Sequence, residues 1–221
     1  MRYFFAIILL SSFLTPAFAQ EEIKNPSIII NTLEIPFDDF NRISREAVEK
    51  NLDATHGISW NITIDNNLEY ANPNGNAVFK IYDKNSEKFI EVGMGAPPDE
   101  KFWVGVNTED EGYVIVQRDL ERGWYPNAKV ALSYTERGGL TVNNGARITV
   151  SSLNIGSFEV DSYSVHGMEG STDPPATKSG SMTVEFLSGD PSKNVFALFP
   201  FYLAAGIGTL VGVLYLTKKR S

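Results

Sequence analysis

Leu140-Thr141-Val142-Asn143-Asn144-Gly145-Ala146-Arg147-Ile148-Thr149-Val150 decides how this chain folds. Apolar and polar residues alternate on both sides of Asn144-Gly145. That pair is favoured in a type I′ hairpin turn, because both central residues must reach positive φ. Two strands joined by so short a turn can only run antiparallel. The same alternation extends upstream. Ile58, Trp60, Ile62 and Ile64 share one face, leaving Ser59, Asn61, Thr63 and Asp65 on the other. Asn76–Asp83 follows the turn-rich Asn72-Pro73-Asn74-Gly75, and Lys88–Gly95 comes next. Lys101–Glu109 and Tyr113–Asp119 flank the acidic turn Asp110-Glu111-Gly112, and Ala128–Glu136 precedes the hairpin. Downstream, Ser157–Val165 and Ser181–Leu187 read as strands, the latter with Met182, Val184 and Phe186 on one face. About nine or ten strands at short spacing with little helix predict an all-β antiparallel sandwich.

Two segments stand apart from this pattern. Asp38–Asn51 has an acidic start, good helix formers, and Ile43, Ala47 and Val48 spaced for one face, which predicts a short helix. The alternative is a loop following a first strand at Ser27–Ile35. Glu169–Gly180 is polar and contains Pro and Gly, as expected of a surface loop or a linker.

The two ends predict export and anchoring. Residues 1–19 have the form of a signal peptide: Arg2, an apolar Tyr3–Leu14, and the small-residue site Ala17-Phe18-Ala19, making Gln20 the mature start. Val195–Leu216 passes without a formal charge and is followed by Lys218, Lys219 and Arg220. A helix of that length covers the ~30 Å hydrocarbon core. The basic residues place the 217–221 tail on the cytoplasmic side. The expected arrangement is a cell-membrane protein with an extracytoplasmic domain at 20–194 and a single transmembrane helix at 195–216. Within that helix Ala204, Gly208 and Gly212 recur at four-residue spacing, a face suited to close helix–helix packing and self-association.

Composition narrows the function classes. The net charge is −8, and the basic tail lies outside the 20–194 domain, which is therefore more acidic still. Nucleic-acid binding needs a basic face and is not expected. There is no cysteine, so the domain relies on its core and not on disulfides.

With the strand order established, residues 55–187 resemble a concanavalin A-like, laminin-G-type jelly roll. In that family an aromatic and aliphatic strand leads toward a tight turn of the form Leu-x-Val-x-Asn-Gly. A late strand ending in Gly then supplies the last core residues. Val130–Tyr134, Leu140–Gly145 and Ser157–Gly167 match this arrangement. The resemblance implies the fold and leaves the activity open, because sandwiches host many functions.

Some enzymes on this fold are laminarinase-type glycoside hydrolases that carry Glu-x-Asp-x-x-Glu on one strand. Two of those carboxylates act as nucleophile and acid, about 5–5.5 Å apart in a retaining enzyme. Glu159-Val160-Asp161 is the nearest match here, and alternation would put Glu159, Asp161 and Tyr163 on one face. Ser164 stands where the third carboxylate is needed, so no complete catalytic set is present and the chain is not expected to be an enzyme. That face remains a candidate polar binding surface. His56 and His166 are the only histidines, which argues against a zinc site or a catalytic triad. The acidic loops Asp99-Glu100 and Glu109–Glu111 could attract calcium, but they flank one strand at opposite ends and cannot share an ion. No other cofactor is expected.

Sugar binding asks for an exposed aromatic beside polar side chains. Trp103, Trp124 and Tyr125 are candidates, with Trp103 alternating against Phe102, Val104 and Val106. Asn61-Ile62-Thr63 is an N-glycosylation sequon on a polar strand face. The function expected from the sequence is a membrane-anchored recognition or adhesion module binding a glycan or another surface protein, through Trp103 or the Glu159/Asp161/Tyr163 face. The alternatives are an accessory subunit of a membrane complex and, last, a glycan hydrolase.

Overall fold

The computed structural model of the chain describes residues 29–52 and 59–188. Its strands are β1 (Ile29–Pro36), β2 (Lys50–Asn51), β3 (Ser59–Asn66), β4 (Glu69–Tyr70), β5 (Asn76–Asp83), β6 (Phe89–Gly95) and β7 (Phe102–Thr108). They continue with β8 (Gly112–Asp119), β9 (Val130–Thr135), β10 (Gly139–Asn143), β11 (Ile148–Leu153), β12 (Val160–His166), β13 (Thr177–Ser179) and β14 (Ser181–Ser188). One six-stranded sheet runs in the order β1-β14-β3-β9-β10-β11. A second six-stranded sheet runs β2-β12-β5-β6-β7-β8, and β13 and β4 form a small two-stranded sheet. Neighbouring strands pair antiparallel throughout the two large sheets, which gives the antiparallel sandwich predicted from the alternation.

The core forms where the apolar faces of the two sheets meet. Trp60, Ile62 and Ile64 on β3 point inward with Met182, Val184 and Phe186 on β14. Phe79 and Ile81 on β5, with Ile90, Val92 and Met94 on β6, answer from the second sheet. Period two is obeyed almost without exception on β3, whose residues alternate half-buried and buried along its length. Buried tryptophan N–H groups find acceptors, as burial requires. Trp60 Nε1 donates to the Phe158 carbonyl at 3.2 Å and Trp124 Nε1 to the Gly95 carbonyl at 2.8 Å.

The predicted helix at Asp38–Asn51 is not formed. The segment makes two short 3₁₀ turns, Phe37–Asn41 and Ser44–Glu46, and ends in β2. Its polar groups go to the sandwich and not to an i−4 ladder. Ser44 donates its N–H to the Met168 carbonyl, Asn41 Nδ2 donates to the Thr177 carbonyl at 3.1 Å, and β2 pairs with β12. Phe40 and Ile43 are buried at a spacing of three, whereas Val48 is exposed, so no helical stripe exists. A helix this short has little intrinsic stability, and tertiary bonds override it.

The β10–β11 connection is a hairpin, but not the two-residue type I′ turn. Residues 144–147 form a wider loop closed by the Asn144 N–H on the Arg147 carbonyl at 3.1 Å. Only Gly145 takes a positive φ, +95°. Asn144 is buried and acts as a clamp. Its Oδ1 accepts from the Ala146 and Arg147 N–H groups, and its Nδ2 donates to the Gly123 carbonyl at 2.6 Å. The Glu169–Gly180 segment is a loop folded onto the domain: Ala176 and Thr177 are buried, and β13 pairs with β4.

The signal peptide at 1–19, His56, and the 195–216 helix with Ala204, Gly208 and Gly212 lie outside the described residues. Among the described residues no helix is long and apolar enough to cross a membrane.

Candidate functional site

Alternation along β5, β6, β7 and β12 sends one set of side chains into the core and the other to the outer face of the second sheet. On that face the ladder registers align residues into rows. Arg118, Trp103, Gly93, Val78 and His166 form one row, on β8, β7, β6, β5 and β12 in turn. The next row is Ile115, Gly105, Glu91, Lys80 and Ser164. A cleft of about 520 Å³ lies over these rows. Its β8 side carries Tyr113, Ile115 and Leu120 beside the charged Arg118 and Asp119; its β12 side is polar, with Asn74, Asn76, His166 and Glu169.

Glu91 is the hub. Its Oε1 accepts from Trp103 Nε1 at 2.7 Å and from the Tyr113 hydroxyl at 2.8 Å, while Lys80 Nζ lies 3.1 Å from Oε2. Burial alone would raise the pKa of this carboxyl. The Trp103 bond, the Lys80 charge and the Tyr113 bond together outweigh it and hold Glu91 below the usual glutamate value. Glu91 is therefore a fixed anion, and burial with the carboxylate beside it pushes the Tyr113 phenol well up.

Two glycines let the aromatic rings lie flat on the sheet. A methyl group at position 93 would fall 1.9 Å from the Trp103 indole, and one at position 105 would fall 2.6 Å from the Tyr113 ring. Only glycine allows so close an approach. Phe89 stacks on Tyr113 with centroids 5.8 Å apart, and Lys80 Nζ sits 4.8 Å from the centre of the Phe89 ring. The result is an aromatic floor with its polar edges already bonded.

His166 closes the β12 end. It is buried, lines the cleft, and its Nδ1 has no hydrogen-bond partner in the protein. Burial, and then the Lys80 charge, lower its pKa to about 4, so the ring is neutral at pH 7.

The residues singled out in the sequence are dispersed. Trp103 lies in the cleft, half-buried. Glu159, Asp161 and Tyr163 do not share a face. The β12 ladder shifts register between Val160 and Ser162, so Asp161 is an extra, exposed residue and Val160 and Tyr163 both point inward. Tyr163 is buried and stacks on Phe79 at 5.9 Å. Glu159 precedes the strand and meets Asn85 Nδ2 at 3.5 Å. Trp124 is in the core and Tyr125 is exposed elsewhere. Asn61 lies on the outer face of the other sheet, in a shallow depression with Thr63, Ser133, Thr141 and the apolar Ala131 and Ile148. Asp99-Glu100 and Glu109–Glu111 sit at opposite ends of β7, and among the described residues no three His, Cys, Asp or Glu side chains converge as metal ligands. Sequence reading missed Lys80, Glu91, Tyr113 and His166. A signal existed: Lys80 and Glu91 are opposite charges in the middle of two mostly apolar adjacent strands, the pattern of a cross-strand pair.

The sequence matches no family model and no curated protein. Solved structures similar to it include sheep galectin-11 in complex with glycerol, at 11% identity and a TM-score of 0.39, covering 64% of this chain and 97% of that one. The Crh5 transglycosylase in complex with NAG is similar at 8% identity and a TM-score of 0.43, covering 80% and 82%. A prokaryotic β-1,3-1,4-glucanase from a mouse hindgut metagenome is similar at 12% identity and a TM-score of 0.41, covering 74% and 83%. These are jelly-roll β-sandwiches, and overlaps of this size bear on no activity.

Proposed function

We propose that this chain is a glycan-recognition module that takes its ligand on the outer face of the second sheet. The single observation that carries the reading is the Trp103 indole laid flat over Gly93, beside the bonded Lys80–Glu91 pair and inside a cleft. A flat aromatic face presents a surface to the C–H side of a sugar ring, and the flanking polar groups meet its hydroxyls. The aromatic floor needs no ordering on binding, which lowers the cost of association.

Recognition fits these residues better than catalysis. Glycoside hydrolysis of the usual kind needs two carboxyl groups in different protonation states. Glu91 is held as an anion, and its same-face neighbours are Phe89, Gly93, Lys80 and Gly105, none of them acidic; the cleft's other carboxylates, Asp119 and Glu169, stand at its β8 and β12 sides. In this proposal the domain is exported and held at the cell membrane by the 195–216 helix, with the Ala204/Gly208/Gly212 face available for pairing.

The test uses a property of the chain itself. It has three tryptophans, and Trp60 and Trp124 are both 1% exposed in the core. A change in tryptophan emission on adding a saccharide therefore reports Trp103. We expect a glycan array on the full-length chain to return saccharide ligands that shift this emission. Trp103→Ala is expected to lower their affinity more than about tenfold, with a cooperative thermal melt showing that the variant is still folded. An array with no ligand for the folded chain, or undiminished binding by Trp103→Ala, would sink the reading.

A further inference from the structure

We propose that the site is built for a neutral oligosaccharide of at least two rings, laid across the strands from Trp103 to a second subsite at His166. This rests on the glycan-binding reading above. The row Trp103, Gly93, Val78, His166 runs straight across β7, β6, β5 and β12. The indole covers Gly93, leaving only Val78 between it and His166 in that row. Strands lie about 4.8 Å apart, so β6 to β12 spans roughly 10 Å, about two pyranose rings side by side. A single ring stacked on the indole fills only the β7 half of the cleft.

His166 is the observation that points to a ligand at the other half. It is 3% exposed, yet its Nδ1 has no partner. A buried polar atom without a hydrogen bond costs free energy and calls for an explanation. The same imidazole lines the cleft, where a hydroxyl of a second ring can supply the missing bond.

The class of the ring at the His166 end follows from charge. Lys80, the cation in the centre of this face, already pairs with Glu91, and Arg118 lies at the β8 end of the Trp103 row, across the cleft from His166. The groove continues from Asn74 and Asn76 past Glu169 toward Asp173, and among the described residues neither of those carboxylates has an ion pair. A uronate or sulfated ring at this end would meet carboxylates and no free cation. A neutral ring offers hydroxyl donors to Glu169 and to the Nδ1 of His166, and brings no charge to repel the carboxylates.

The test is a chain-length series on the full-length chain: gluco-, xylo- and laminari-oligosaccharides of one to four units, and a uronate-containing series. Affinity is read by Trp103 emission and calorimetry. We expect affinity to rise steeply from one unit to two or three for the neutral series only. His166→Ala should lower affinity for the longer ligands about tenfold and leave the monosaccharide unchanged. His166→Gln, which keeps a polar group there, should restore part of the loss, and a thermal melt checks that both variants are folded. In the unmodified chain the His166 ring nitrogen resonance should move with the longer ligands and not with the monosaccharide. If emission titrates but affinity is flat with length, or the His166 resonance stays still, the second subsite is overturned and glycan binding at Trp103 stands. If the uronate series binds as well as the neutral one, the neutral class is overturned. If no saccharide changes the emission, both readings fall.

Discussion

At the scale of the residue, Gly93 carries more of the site than its size suggests. It has no side chain to contribute, yet the indole of Trp103 occupies the space where one would be. Gly93→Ala should push the indole off the sheet, break its 2.7 Å bond to Glu91, and red-shift tryptophan emission. The expected loss of saccharide affinity is about as large as for Trp103→Ala, and the same titration measures it. Blue-shifted or unchanged emission with full binding would contradict the packing described. Gly93 is an example of what a lone sequence hides. A glycine in a strand signals some close approach, but not which side chain makes it. Trp103 was legible because a large aromatic breaking an apolar row stands out. Lys80 and Glu91 become meaningful only when register puts them opposite one another.

Elements carry their own lessons. The Asn-Gly pair at 144–145 announced a hairpin correctly and its turn type incorrectly. The side chain of Asn144 supplies the difference: it takes over the bonds that a tighter turn would have made, and reaches across to the Gly123 carbonyl. Asn144→Ala leaves two N–H groups and one carbonyl to find other partners. It should destabilise the domain by about 2 kcal/mol, seen as a lower denaturation midpoint with unchanged slope. An effect within error would show that water replaces all three bonds. The bulge at Asp161 explains the lost Glu159/Asp161/Tyr163 face. Strict alternation cannot foresee an inserted residue, and a single one exchanges inside for outside over the rest of a strand. The 38–51 segment failed for a different reason: its helical pattern was real but weak, and bonds to residues more than a hundred positions away decided its form.

At the scale of the molecule, the sandwich was legible because most long strands have one apolar face, and two such sheets have few ways to bury them. What the sequence could not reveal is that charge is stored inside the cleft in a form sensitive to acid. His166 titrates at about 4 in the folded chain against an ordinary 6.5, so between those values the unfolded chain binds one more proton and stability falls as pH falls. Glu91 adds in the same direction. Its depressed folded value contributes stability that is full above about 4.5 and is lost as pH drops through the folded value. Melting temperature should therefore decline from pH 6.5 downward, at up to about 1.4 kcal/mol per pH unit from His166 alone. His166→Gln should flatten the upper part of that decline and leave the part below pH 4.5. Identical profiles for the two proteins would remove His166 as the cause.

The strand β14 is the last described element, yet it lies inside its sheet. It pairs with β1 on one side, from Ile29↔Ser188 to Pro36↔Ser181, and with β3 on the other, from Ser188↔Trp60 to Met182↔Asn66. A pull applied through the residues after Ser188 runs along the strand axis and loads both ladders together. The bonds then resist in shear, all at once, where an edge strand peeled sideways would give them up one by one. The cleft faces outward from the opposite sheet, so in the anchored glycan binder proposed above a load between anchor and ligand would pass through the whole packed core. If the proposed anchor and ligand are real, such a connection suits holding on under load.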